Sequence, residues 1–276
     1  MALDLVVGAP PKIDKVATGF TFTEVPVFSR IGFLLFTDVR ATPARILRWE
    51  SGKVTPFREN SNRANGLTFD HQGRLLACER DRITRTEKDG SITVLASVFE
   101  GAPLTSPNDL VYAIDGSIYF SVIKPRGTDG PDKPGVYQIT GKGELRVVSR
   151  ECTRPNGVAL SPNQQKLFVA DSEQCNVRIF EINGDGSLKN GRIFCELKGD
   201  APGGPDGLKT DESGNVWVAG PGGIWVFDSA GKHLGTVSLP ETPSNCAWGA
   251  GFRNLYVTAT TSVYRIETKV NGTRTY

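Results

Sequence analysis

Histidine is nearly missing from this chain, with two in 276 residues, and there is a single methionine. A Ser-His-Asp or Cys-His relay needs an imidazole in a pocket. His71 and His233 both stand in Gly-bearing turns, so hydrolysis of that kind is not expected. Cysteine is sparse and odd in number: residues 78, 152, 175, 195 and 246 form no C-x-x-C pair. Neither a zinc knuckle nor a disulfide framework is therefore indicated, and Cys152 reads as buried packing. No apolar run approaches the roughly 18 residues of a membrane span. The segment Met1–Val7 carries an acid where an export signal would carry Lys or Arg, so a cytoplasmic location is the expectation. Charge of one sign is lacking too. Against 32 Lys+Arg stand 30 Asp+Glu, a net +2 that gives no reason to expect nucleic acid or an anionic membrane as partner. The Gly clusters at 141–143 and 220–223 lack the strand-to-helix context of a phosphate loop and read as hairpin turns.

What is present is punctuation. Gly 31 and Pro 17 interrupt short alternating apolar runs, and helical patterns between them are hard to find, which reads as an all-β chain. The runs repeat. Asn65-Gly66-Leu67 to Ala77, Asn108-Asp109-Leu110 to Phe120, and Asp206-Gly207-Leu208 to Val218 share one plan. Each has an Asn or Asp anchor, a short strand, a Gly eight residues after the anchor and a second strand opening ten after it. Glu24, Asn156 and Asn245 head three further copies. The anchors 24, 65, 108, 156, 206 and 245 are separated by 41, 43, 48, 50 and 39 residues.

Four strands per roughly 40–45 residues is the arithmetic of a propeller blade. The expectation is an all-β, six-bladed β-propeller with four-stranded antiparallel blades, residues 1–276 forming one domain. The N-terminal segment around residues 13–17 is expected to supply the outer strand of the last blade and close the ring. Two β-sandwiches are the competing reading, and the near-constant offset from each anchor argues against them.

The innermost strand of a blade lines the axis, so its first residues converge there. Any one Asn-Gly or Asp-Gly anchor is explained as a turn dipeptide, since both residues tolerate positive φ. The set is not, because Glu24 and Asn245 have no Gly after them. Two carboxylates with several amide oxygens make a hard, anionic site suited to one divalent cation. Ca²⁺ is the first expectation, with Zn²⁺, Mn²⁺, Mg²⁺ and Fe²⁺ as other occupants.

The segments Glu24-Val25-Pro26-Val27-Phe28, Ser106-Pro107-Asn108-Asp109, Arg154-Pro155-Asn156-Gly157 and Pro205-Asp206-Gly207-Leu208 resemble signatures of the gluconolactonase and senescence marker protein (regucalcin) family. The run Asn65 to Glu79 resembles that family's second blade. The resemblance covers essentially the whole chain in order and spacing. It implies a six-bladed propeller, one divalent cation and hydrolysis of sugar lactones or related esters. It also implies that Glu24, Asn156 and Asp206 are metal ligands, that Asn108 faces substrate, and that Asp206 acts as general base.

There are departures. Val25 stands for the family's Gly, Arg80 for a frequent His, Ser121-Val122-Ile123 for Thr-Asp-Pro, and Ser106 where animal members place Arg. Ser106, Asn65, Lys124, Arg126 and Trp248 are further candidate substrate contacts: Lys124 and Arg126 as a clamp from a basic loop, Trp248 as a pocket floor. The altered loop 121–126 and Ser106 suggest few charged groups near the metal, hence activity on several lactones. Metal-dependent opening of a sugar lactone by a chain that is a monomer or weak homo-oligomer is the expected function. A phosphorus-ester or aryl-ester hydrolase on the same site and a non-catalytic calcium-binding propeller are the alternatives.

Overall fold

The computed structural model describes residues 2–124, 134–249 and 251–273. Almost all regular structure is β, in six four-stranded antiparallel sheets. The innermost strands are Thr23–Phe28, Leu67–Phe69, Pro107–Tyr112, Pro155–Leu160, Leu208–Thr210 and Pro243–Gly249, one for each anchor. They contact one another in ring order, the first also meeting the last. This is a six-bladed propeller. Closure falls where the sequence placed it: Ile13–Thr18 pairs with Ser262–Glu267 as the outer strand of the sixth blade. A short helix, Asp4–Val7, lays Val6 and Val7 against the apolar cluster between the fifth and sixth blades.

Why these sequences stack is visible in the second strands. Leu34–Asp38, Leu75–Glu79, Ile118–Val122, Val216–Gly220 and Asn254–Ala259 are buried on both faces apart from Asn254. Successive side chains point to opposite faces of a strand. Leu35 accordingly packs toward the second blade, while Leu34 and Phe36 pack toward the sixth. The described core divides into six clusters, each spanning one junction between neighbouring blades. A blade therefore buries its apolar faces only with both neighbours in place.

The glycine eight residues past an anchor has a conformational cause. Gly32, Gly73, Gly116 and Gly214 all have φ between 74° and 96°, the left-handed region that costs other residues strain. An acid beside two of them finishes the turn. Asp211 accepts the Ser213 and Asn215 N–H groups and the Trp217 Nε1–H, and Asp70 serves its own turn in the same way. All five cysteines are free, and Cys152 is buried among Val136, Val158 and Phe180. No helix among the described residues is long and apolar enough to cross a membrane.

Candidate active site

Each anchor sits in or next to an irregularity of its innermost strand, a β-bulge in the second to fifth blades. Two residues then oppose one, and the strand re-aims its side chains toward the axis. Asn108 and Asp109 together oppose Ser121, and Asn156 and Gly157 oppose Ala170. In the second blade Cys78 accepts from Asn65 N–H at 2.8 Å and donates to the Gly66 carbonyl at 2.9 Å. Ala219 treats Asp206 and Gly207 identically. The first and sixth blades shift register at Glu24 and before Asn245.

The glycines after the anchors are not turn residues. None of Gly66, Gly157 and Gly207 has a left-handed φ. A Cβ on them would lie 2.5 Å from the Asn108 carbonyl oxygen, 2.3 Å from that of Asp206 and 1.9 Å from Asn245 Cγ, respectively. They are required because neighbouring blades meet closely around the axis, backbone to backbone at Gly66 and Gly157 and backbone to the Asn245 side chain at Gly207.

Five of the six anchors, Glu24, Asn65, Asn108, Asn156 and Asp206, line one cavity of about 870 Å³ at one end of the axis, together with Ser106. The sixth does not. Asn245 lies deeper and is buried, its Nδ2 donating to Asp109 Oδ2 at 3.2 Å and its Oδ1 accepting the Cys246 N–H at 2.8 Å. Trp248 is placed at the opposite end, in a second cavity of about 490 Å³ with Phe28, Leu67 and Phe252. Three residues of extended strand advance about 10 Å, which carries Trp248 away from its anchor; its Nε1 donates to the Thr210 carbonyl at 2.7 Å. The Lys124 side chain is exposed and does not line the first cavity, while its carbonyl accepts from Arg154 Nη1 at 2.7 Å. Arg126 lies outside the described residues.

Sequence reasoning missed two groups. Asp109 is fully buried beside the site, and its carboxyl is pushed above the usual range, chiefly by burial. Four arginines, Arg40, Arg63, Arg80 and Arg154, also line the cavity. They correct the expectation of a rim poor in charge. Ser121 and Val122, read there as rim, are buried strand residues, and Ser121 Oγ accepts the Asp109 N–H at 3.1 Å. A signal was available: Phe22, Arg63, Ser106 and Arg154 all stand two residues before an anchor, and all four line the cavity. An acid at the end of the next strand holds each lead-in loop on three of the blades. Asp38 accepts the Thr21 and Phe22 N–H groups, Asp171 those of Thr153 and Arg154, and Glu79 the Asn62 side-chain amide.

Electrostatics make the cavity's acids strained neighbours. Glu24 is pushed well above the usual carboxylate range, first by burial and then by the charges of Asp206 and Asp109, with Arg40 opposing. Asp206 is pushed up to about 8, again by burial first and Asp109 second, with Asn156 and Arg154 opposing. Asn65 Oδ1 is buried without a hydrogen-bond partner. Asn156 donates its Nδ2 to Ser172 Oγ at 3.0 Å. Among the described residues no cluster of three or more His, Cys, Asp or Glu is arranged for a metal. The set is instead mixed, two carboxylates outside any ion pair among the described residues with an orphaned amide oxygen and a second amide, and hard oxygen donors of this kind fit a hard divalent cation.

Residues 22–261 match the model of the SMP-30/Gluconolactonase/LRE-like region. Gluconolactonase of Zymomonas mobilis is 30% identical, the match covering 98% of this chain and 85% of that protein. Diisopropyl-fluorophosphatase of Loligo vulgaris is 25% identical over 96% of this chain and 95% of its own. The solved structure of a gluconolactonase from Xanthomonas campestris superposes with a TM-score of 0.87 at 29% identity, covering 97% of this chain and 92% of that one.

Proposed function

The chain belongs to the SMP-30/Gluconolactonase/LRE-like family and is a lactonase, and from that premise we propose that it opens sugar lactones with the aid of one divalent cation. The observation that carries the reading is the convergence of Glu24, Asn65, Asn108, Asn156 and Asp206 on a single cavity. At about 870 Å³ it falls within the roughly 300–1,000 Å³ of small-molecule sites.

Glu24, Asn156 and Asp206 would hold the cation. When bound, it supplies Lewis-acid stabilisation of the negative charge that develops on the lactone carbonyl oxygen. The protein's own groups do the rest. The Asp206 carboxylate accepts a proton from the attacking water as the water oxygen bonds to the carbonyl carbon. When the ring C–O bond breaks, the same carboxyl returns a proton to the departing ring oxygen. One water is consumed, and an open hydroxy acid results. Asn65 and Asn108 present amides to the substrate's hydroxyls or carbonyl from the second and third blades. Ser106 adds a hydroxyl at the mouth.

Asp206→Asn tests the assignment. Loss of a positioned general base typically costs about 10²–10⁴-fold in rate. The variant should melt as a folded protein and lose at least 100-fold in kcat on gluconolactone. A folded variant retaining more than a third of wild-type kcat would remove Asp206 from the proton-transfer role. A second reading, hydrolysis of a phosphorus ester at the same cavity, is favoured by the similarity to the squid fluorophosphatase. Side-by-side rates on aldonolactones and phosphofluoridates separate the two.

A further inference from the structure

Many arginines elsewhere in the blades sit on carboxylates. Arg58 and Arg82 share Glu79, Arg74 bonds Asp70 and Glu87, and Arg265 bonds Asp14. The four at the mouth of the cavity do not: among the described residues none of Arg40, Arg63, Arg80 and Arg154 forms an ion pair. Two have local employment. The Arg40 guanidinium lies 4.0 Å from the Phe22 ring centroid and opposes the charge of Glu24, while Arg154 bonds the Lys124 carbonyl and opposes Asp206. Arg63 and Arg80 have neither, and both are exposed at the opening.

Their placement is built rather than loose. Asn62, Arg63 and Ser106 all have left-handed φ, at 52°, 54° and 48°. Non-glycine residues keep such a conformation where their surroundings over-determine it. Those surroundings are described. The Arg80 N–H donates to the Asn62 carbonyl at 2.9 Å, and the Ser106 N–H donates to the Arg80 carbonyl at 3.0 Å. The Asn62 amide bonds Asp81 at 2.9 Å and the buried Glu79 at 3.3 Å. Two successive lead-in segments are thus laced together through the turn between Leu75–Glu79 and Arg82–Thr86, with two uncommitted guanidinium groups on the cavity side. Four cations facing two carboxylates leave an excess of positive charge, which a bound divalent cation would increase.

We infer that Arg63 and Arg80 form a subsite for an anionic group on the lactone, a carboxylate or a phosphate ester remote from the ring carbonyl. The inference rests on the reading of this cavity as a lactonase site. A planar guanidinium fork matches the paired oxygens of either anion, and a neutral hydroxyl offers it no charge. The preferred substrate class is therefore the lactone of a sugar acid bearing a second acidic group, and Arg63 and Arg80 determine that preference.

The test measures kcat/KM on D-glucono-1,5-lactone and on its counterparts carrying a carboxylate or a phosphate at carbon 6. One counterpart should exceed the neutral lactone by about tenfold or more, the worth of a charged hydrogen bond. Which one does so identifies the anion. In Arg63→Gln and Arg80→Gln the ratio of anionic to neutral kcat/KM should fall about tenfold, through KM, with partial recovery in the Lys variants. Melting curves confirm that the variants fold. Equal or better use of the neutral lactone by the wild type overturns the inference and leaves the lactonase reading standing. If no lactone is turned over, calorimetric binding of glucarate and 6-phosphogluconate decides: binding that the Gln variants weaken tenfold sustains the anion subsite, and its absence overturns it.

Discussion

Placing alanine at Gly207 tests the idea that the blades meet so closely around the axis that the anchor glycines cannot carry a side chain. The new Cβ would lie 1.9 Å from Asn245 Cγ, 2.1 Å from its Nδ2 and 2.2 Å from its Oδ1. The Asn245 side chain cannot swing aside freely. It is 1% exposed and pinned by its bonds to Asp109 and the Cys246 N–H. Overpacking of this kind costs about 1–3 kcal/mol. Breaking one of the Asn245 bonds leaves a buried polar group unsatisfied, a further cost of about 1–3 kcal/mol. A total of roughly 2–6 kcal/mol, at about 2–4 °C per kcal/mol, lowers Tm by roughly 4–24 °C. Gly73→Ala is the comparison: a Cβ there meets nothing within 4 Å, but φ is +74°, so only the left-handed penalty of about 1–2 kcal/mol applies. Thermal melts followed by circular dichroism read both. If Gly207→Ala proves no more damaging than Gly73→Ala, the close-approach argument is wrong.

Other consequences concern the carboxylates and their supports. Asp206 keeps its proton to about pH 8, whereas an unfolded aspartate loses it near about pH 4. Below about pH 4 both states are protonated and stability is full. Between there and about pH 8 the chelated protein should lose stability as pH rises, and added Ca²⁺ should restore Tm most at the alkaline end; a Tm of the chelated protein that rises over this window would contradict the shift. Glu79→Gln leaves Arg58 and Arg82 without their buried counter-charge, and breaking such a pair costs about 3–5 kcal/mol. Urea unfolding should show that loss, together with a raised KM from displacement of the segment that holds Arg63; an unchanged midpoint would show that Glu79 does not organise the mouth.

The architecture was legible because one blade is written six times, and the glycine eight residues past the anchor forces the same turn in four of the copies. The closing strand at Ile13–Thr18 followed from counting: the last copy was one strand short. The cavity's five anchors were legible for the same reason. The bulges were not, since they depend on pairing with strands ten or more residues away. They decide that Asp109 as well as Asn108 comes to the axis, while the length of the sixth blade's innermost strand carries Trp248 to the opposite end. The arginines were hidden differently. With 32 Lys and Arg in the chain a single arginine carries no signal, and the shared offset from an anchor marks only Arg63 and Arg154 of the four.

The central claim is that a divalent cation held among Glu24, Asn156 and Asp206 makes this cavity a lactonase. The direct measurement is pH-stat hydrolysis of gluconolactone, corrected for spontaneous opening, by protein stripped with chelator and then titrated with Ca²⁺. The account predicts negligible turnover in the stripped protein and recovery that saturates near one cation per chain, while Asp206→Asn fails to recover. Full turnover by the folded protein in excess chelator would contradict it.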